Sequence, residues 1–204
     1  MAAKGILLTI SAPSGTGKST LINMLTREYP EFGFSVSYTT RSARAGEVNG
    51  KDYFFVDREE FVSLRDKGFF AEWANVHGNY YGTPGQKVVD ALSSGRSLIF
   101  DIDVQGAAQL KKNLNIGLFV FIFPPSLKSL EQRLLKRGTD DPETIRRRVN
   151  NAGHEISQSR LFDFWIVNHK LEKAFDDLRS IVRAEKLKSS HSPDLPDMVL
   201  KGRF

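Results

Sequence analysis

The feature that most constrains this chain is the loop Ala12-Pro13-Ser14-Gly15-Thr16-Gly17-Lys18-Ser19, set between an apolar run and a helical pattern. Ile6 to Ser11 is apolar almost throughout, as expected of a central strand covered on both faces. From about Lys18 to Tyr29, Leu21, Ile22 and Leu25 form an inward stripe, and Pro30 stops the helix. A strand, a glycine-rich loop ending in Gly-Lys-Ser and a helix, in that order, constitute a phosphate-binding loop. Gly15 and Gly17 let successive backbone N–H groups curl around a triphosphate, and the helix N-terminus adds the positive end of its dipole. Lys18 is expected to reach the β- and γ-phosphates and the Ser19 hydroxyl to ligate Mg²⁺. The run from Ala12 to Thr20 is therefore the expected binding segment for a nucleoside triphosphate. The usual pattern opens with glycine where this chain has Ala12, and a small residue serves there if its φ is negative.

Ser97 to Asp101 and Gly117 to Phe123 read as two further core strands, separated by a helix from Val104 to Leu114. The strand-helix-strand rhythm implies an α/β three-layer fold on a central parallel sheet, with ligands at the carboxyl ends of its strands. Asp101, closing an apolar strand, suits the Mg²⁺ shell. Phe34 to Tyr38, Tyr53 to Val56 and Phe69 to Val76 read as short strands of a β-rich insertion that also holds a helix from Arg58 to Lys67. Pro84 opens a helix expected to turn Val88, Val89 and Leu92 inward. Helices over Leu127 to Arg137 and Pro142 to Arg160 are joined by Gly138-Thr139-Asp140-Asp141, with Asp141 as N-cap. A strand from Phe164 to Val167 and a helix from Leu171 to Lys188 follow. Ser189 to Phe204 has little periodicity and is expected to be a mobile or loosely docked tail. The chain is read as one domain: a core at about 1–36, 96–125 and 160–188, an insertion at about 37–89, a helical excursion at about 126–159, and the tail 189–204.

Composition narrows the function. Hydrophobic residues at 40% and charged residues at 26% are ordinary globular values, and the longest apolar runs are far too short to span a bilayer. Because the first strand runs directly into the loop, removing it as a signal peptide would destroy the site, so the expected location is the cytoplasm. Cysteine is absent, which excludes disulfides, thiolate catalysis and cysteine-based zinc sites. The net charge of +5 matches a pocket for two polyanionic nucleotides, and no nucleic-acid-binding signature is present.

The stretch Thr39-Thr40-Arg41-Ser42-Ala43-Arg44-Ala45-Gly46-Glu47-Val48-Asn49-Gly50-Lys51-Asp52-Tyr53 packs two arginines and a tyrosine into the insertion. Two guanidiniums can grip a phosphate dianion through forked hydrogen bonds, although arginines of this kind also serve as a solvated charged face. Together with Glu72-Trp73, Gly78-Asn79-Tyr80-Tyr81-Gly82-Thr83, Asp101-Ile102-Asp103-Val104-Gln105-Gly106 and Arg137-Gly138-Thr139, this motif resembles the guanylate kinase family. The resemblance runs over roughly residues 6 to 188. It implies phosphoryl transfer from ATP to GMP, a GMP-binding insertion and a mobile helical lid.

By that resemblance Ser37, Arg41, Arg44, Tyr53 and Tyr81 hold the GMP phosphate, Glu72, Thr83 and Asp103 read the guanine, and Asp101 also borders this site. Guanine presents N1–H and N2–H donors beside an O6 acceptor, so Glu72 accepts from the donors and Thr83 donates to O6. Adenine would leave Glu72 facing a lone pair, which a closed site penalises. Tyr53 and Tyr81 also suit core aromatics, and Asp103 also suits the N-cap of the next helix. The resemblance brings Arg137 and Arg148 from the lid to join Lys18 and Arg41 at the transferring phosphoryl, with the adjoining Arg146 and Arg147 as the alternatives to Arg148 in register. It sets Asn168 near the adenine and makes dGMP a further acceptor. A protein-binding module of the same fold, or a kinase for another phosphorylated acceptor, are the competing readings; Lys18 and Ser19 oppose the first, and Glu72 and Thr83 the second.

Overall fold

The computed structural model describes residues 4–76, 78–138 and 140–202. Thr139 of the expected turn and the ends of the expected 1–204 span, residues 1–3 and 203–204, lie outside them. Strand β1 (Leu7–Ser11) is buried along its whole length and leads straight into the glycine-rich loop and helix α1 (Lys18–Glu28). The next strand, β2 (Phe32–Phe34), returns to the same sheet.

The chain then enters a second sheet. It adds β3 (Tyr38–Thr39), β4 (Phe54–Phe55), helix α2 (Arg58–Asp66), β5 (Phe70–Val76) and β6 (Asn79–Pro84), ordered β4-β3-β6-β5. The expected single strand from Phe34 to Tyr38 is thus two strands in two sheets, with residues 35–37 as the joint. Alternating apolar residues specify a pleat but not which sheet receives it. Strand β6, which the short-strand pattern of the insertion does not mark, forms an antiparallel hairpin with β5, and the register shifts between Phe70 and Glu72. The outer edge of β5 is closed by side-chain amides from the core: Gln109 exchanges two hydrogen bonds with the Trp73 backbone, and Asn113 donates to the Ala71 carbonyl. These bonds join the second sheet to the first and cover an otherwise open edge.

Helix α3 (Gly85–Ser93) returns to the core. It buries Val88 and Ala91, with Leu92 half-buried, whereas Val89 is 37% exposed. Positions 88, 91 and 92 share one helical face, and 89, expected inward, lies about 100° around it. The remaining elements are β7 (Ser97–Asp101), α4 (Val104–Leu114), β8 (Leu118–Phe123), α5 (Leu127–Arg137), α6 (Pro142–Ser157), a 3₁₀ turn at Ser159–Leu161, β9 (Phe164–Val167) and α7 (Leu171–Lys186).

Five parallel strands run in the order β2-β7-β1-β8-β9. Their alternation divides the core. Leu8, Ile10, Val120 and Ile122 pack with Leu21, Leu25, Leu178 and Val182 of α1 and α7. Leu7, Phe119 and Phe121 pack on the other face with Val88 of α3 and Ala107 and Leu110 of α4. The result is the three-layer α/β fold. Among the described residues no helix is long and apolar enough to cross a membrane.

The C-terminal segment differs from expectation in holding a 3₁₀ turn at Ser189–His191 and a short helix α8 (Leu195–Leu200). Its start is fastened where His191 contacts the Lys4 carbonyl oxygen at 2.9 Å and Glu185 at 3.2 Å.

Candidate active site

Helices α2, α4, α5 and α6 each begin at a side-chain cap, from Asp57, Asp103, Ser126 and Asp141. Helix α1 begins at Gly17 with no side-chain cap, so its first N–H groups remain available to an anion. Gly15 and Gly17 have φ of 89° and 103°, and a Cβ on Gly17 would lie 2.6 Å from the Asn168 amide nitrogen. Ala12 is not among the described residues with positive φ, so alanine replaces the usual glycine there without strain.

The loop walls a cleft of about 490 Å³ that also receives Thr20, Asp101 and Asp103, and Arg137 and Glu155 from α5 and α6. Lys18 and Asp101 form an ion pair within it. Ala12, Ser14, Gly15, Gly17, Lys18 and Ser19 line this cleft, while Pro13 and Thr16 turn away into the protein. The Thr16 carbonyl accepts hydrogen bonds from Asn168 at 2.8 Å and from Arg133 at 3.2 Å. Asn168, expected beside the adenine, is 5% exposed and braces the loop from behind. Ser19 and Asp101 bring a hydroxyl and a carboxylate to the same cleft as the loop N–H groups. Hard oxygen donors of this kind, few in number, fit Mg²⁺, which takes its other ligands from phosphate and water.

A second cleft, of about 500 Å³, lies between the two sheets. Its floor follows from strand pairing: Glu72 on β5 stands opposite Thr83 on β6, and Tyr38 pairs with Gly82 so that Ser37 comes alongside Thr83. Thr83 donates to Glu72 at 2.6 Å and lies 3.1 Å from the Ser37 hydroxyl. Thr83 has one proton and a carboxylate only accepts, so Ser37 donates to Thr83. Ser37, expected at the phosphate, thus belongs to the Glu72 end of the cleft. Glu72 is 7% exposed; burial pushes its carboxyl above the usual range, the Thr83 bond opposes that, and the Asp103 charge adds to it. Asp103 caps α4 through a 2.8 Å bond from the Gly106 N–H and also lines both clefts. Asp101 lines both as well. The clefts therefore meet at the carboxyl end of β7, as an open parallel sheet dictates.

Tyr53 and Tyr81 line the second cleft with ring centroids 6.0 Å apart. The Arg41 guanidinium stands 5.4 Å over the Tyr53 ring and is held by Glu47, while the Arg44 backbone N–H donates to the same carboxylate at 2.7 Å. Arg148 lies 3.0 Å from Asp140 as an ion pair whose angle falls outside hydrogen bonding, and it does not line either cleft. Sequence reasoning missed three residues. Arg133 precedes Arg137 by one helical turn, and Glu155 follows Arg148 by two, spacings that mark shared helix faces. Glu47 sat inside the quoted motif, six residues from Arg41. Burial pushes the Glu155 carboxyl up, against the pull of Lys18 and with the push of Asp103.

Comparison with known proteins gives a concordant result. The family model described as Guanylate kinase matches residues 4–185. Guanylate kinase of Oleidesulfovibrio alaskensis is 55% identical over 197 residues, covering 97% of this chain and 96% of the relative. Guanylate kinase of Nitratidesulfovibrio vulgaris is 56% identical over 198 residues, with the same coverage. The crystal structure of guanylate kinase from Anaplasma phagocytophilum superposes with a TM-score of 0.67 at 36% identity, covering 94% of this chain and 91% of that one. The chain belongs to the guanylate kinase family.

Proposed function

We propose that this protein transfers the terminal phosphoryl group of ATP to GMP, giving ADP and GDP. The observation that carries the reading is the shared wall. A phosphate-loop cleft and a cleft floored by Glu72, Thr83 and Ser37 meet at Asp101 and Asp103, so the two nucleotides would face each other across it.

In this reading Ala12 to Thr20, with Lys18 reaching the β- and γ-phosphates, hold the donor, and Asn168 keeps the loop in shape beside the adenine. Ser19 and Asp101 would hold Mg²⁺, which when bound would neutralise phosphate charge. Glu72 and Asp103 accept from the guanine N–H groups. O6 meets the hydroxyls of Thr83 and Ser37, which rotate to donate once the carboxylate takes the base. Arg41, Arg44, Tyr53 and Tyr81 hold the acceptor phosphate.

A phosphate monoester has its second pKa near about 6, so the attacking oxygen is already ionised at neutral pH and no general base is required. That oxygen bonds to the γ-phosphorus as the bond to the bridging oxygen of ADP breaks. The barrier is repulsion between anions, which Lys18, Arg41, Arg137 and Arg148 reduce while fixing the line of approach. Residues 126–159 act as the lid over residues 37–89 and the core, and its closure brings in Arg148 and excludes water. dGMP is a second acceptor, and the enzyme works in the cytoplasm.

Purified protein supplied with ATP, Mg²⁺ and GMP is expected to release ADP and GDP, with AMP, CMP and UMP giving far less. Failure to release ADP in response to GMP would overturn the proposal.

A further inference from the structure

The Arg41–Glu47 pair is a fork rather than a single contact. Arg41 Nη1 donates to Glu47 Oε2 at 3.0 Å, and Nη2 donates to Oε1 at 2.9 Å. The other Nη1 hydrogen goes to the Ser42 carbonyl oxygen at 2.7 Å. A guanidinium has five N–H bonds arranged as planar forks, and these contacts commit three of them. The other two, on Nε and Nη2, lie side by side and form a second fork, the side on which the Tyr81 hydroxyl meets the guanidinium.

The carboxylate is itself held from the other side. Glu47 Oε2 accepts the Arg44 backbone N–H at 2.7 Å, which ties the Arg44 end of the turn to Arg41. The bond from Arg41 also holds the Glu47 carboxyl below the ordinary range, so it stays ionised through neutral pH. Glu47 does not line the acceptor cleft, whereas Tyr53, beneath the guanidinium, and Tyr81, bonded to it, both do. Arg41 and Glu47 both lie outside the lining of the cleft, and Arg41 meets it through two residues that do line it, Tyr53 and Tyr81.

Resting on the reading above, we propose that Glu47 is a positioning residue: it fills the end-on fork of Arg41 so that the Nε–Nη2 fork, on the side of Tyr81, is the one left to meet the acceptor's phosphate. A long arginine side chain loses much rotamer freedom when it binds, and a carboxylate that has already fixed it removes part of that cost from each binding event. The effect belongs to the phosphate and not to the base. Glu47 would tune affinity for a nucleoside monophosphate while leaving recognition of the nucleoside unchanged.

The test compares wild type with Glu47→Gln, measuring KM for GMP, KM for ATP, and inhibition by guanosine, which carries the base and no phosphate. In Glu47→Gln the KM for GMP is expected to rise about tenfold or more, as when a charge-assisted contact is no longer held in place. The KM for ATP and the inhibition constant of guanosine should change by less than about twofold, within the spread of a neutral substitution. A lowered KM for GMP would show Glu47 to be a competitor of the phosphate and overturn the proposal, as would an unchanged KM. Equal weakening of GMP and guanosine would overturn it too, because that marks general damage to the second sheet. If Glu47→Gln lacks a cooperative melt, Glu47→Asp, which keeps the charge but withdraws the fork, is held to the same outcomes. Wild-type ADP release with GMP is run alongside; its absence would sink the reading of the reaction, while a flat Glu47 series with active wild type would sink only this inference.

Discussion

Glu72 is 7% exposed, and its one hydrogen-bonding partner on the opposite strand is the Thr83 hydroxyl. Burial raises its affinity for a proton above that in the unfolded chain, where the ordinary value of 4.5 applies. A carboxyl with a raised folded pKa contributes stability below the unfolded value, and that contribution is lost as pH rises through the folded value. At neutral pH an ionised Glu72 is therefore a cost to the ligand-free fold. Glu72→Gln should raise the melting temperature of the ligand-free protein, with a gap from wild type that opens as pH climbs above 4.5 and closes below it. The same variant should lose preference for GMP over AMP. A melting gap that does not vary with pH would refute the cost, and an unchanged preference would refute the guanine role.

At the scale of elements, β8 and α3 show how burial follows geometry more than residue type. Phe119 and Phe121 enter one layer of the core while Val120 and Ile122 enter the other, so β8 is apolar on both faces. Phe121 is fully buried, and Phe121→Ala is expected to cost about 3–5 kcal/mol in a denaturant melt. Val89, just as apolar and also in a core element, is exposed, and Val89→Ser should change stability by less than about 0.5 kcal/mol. A large loss at Val89 would mean that its side chain is covered in solution. The strands and helices of the core were legible because their periodicity is long and strong. The split between β2 and β3 and the β6 strand were not, since short segments with Tyr, Gly and Pro carry a weak pattern and gain their strand conformation from pairing partners distant in the chain.

For the whole molecule, the decisive relation is between the two clefts and the α5–α6 hairpin. Leu130 and Leu134 of α5 are fully buried, and a Cβ on Gly15 would come within 2.9 Å of Leu134, so the root of the hairpin packs directly on the phosphate loop. Arg133 reinforces that seat through the carbonyls of Thr16 and Asn168. Arg137 and Glu155 reach the donor cleft, whereas Arg148 is paired with Asp140. Closure over two occupied clefts would couple them. The thermal shift produced by GMP and ADP together should exceed the sum of the shifts each gives alone, because the second ligand meets a molecule already ordered by the first. Strictly additive shifts would show the clefts to be independent.

The sequence by itself determined the phosphate loop, the three-layer core and the chemical types gathered in the insertion. These are local matters: residue type, spacing and periodicity act within one or two turns or strands. Only the tertiary structure decided which groups meet. Ser37 joins Glu72 because β3 pairs with β6, Asn168 braces Thr16 from 152 residues away, and Glu47 rather than solvent holds Arg41. Each is a contact across a sheet register or a folded turn, and such contacts are set by packing and hydrogen-bond satisfaction over the whole chain, which no short stretch of sequence encodes.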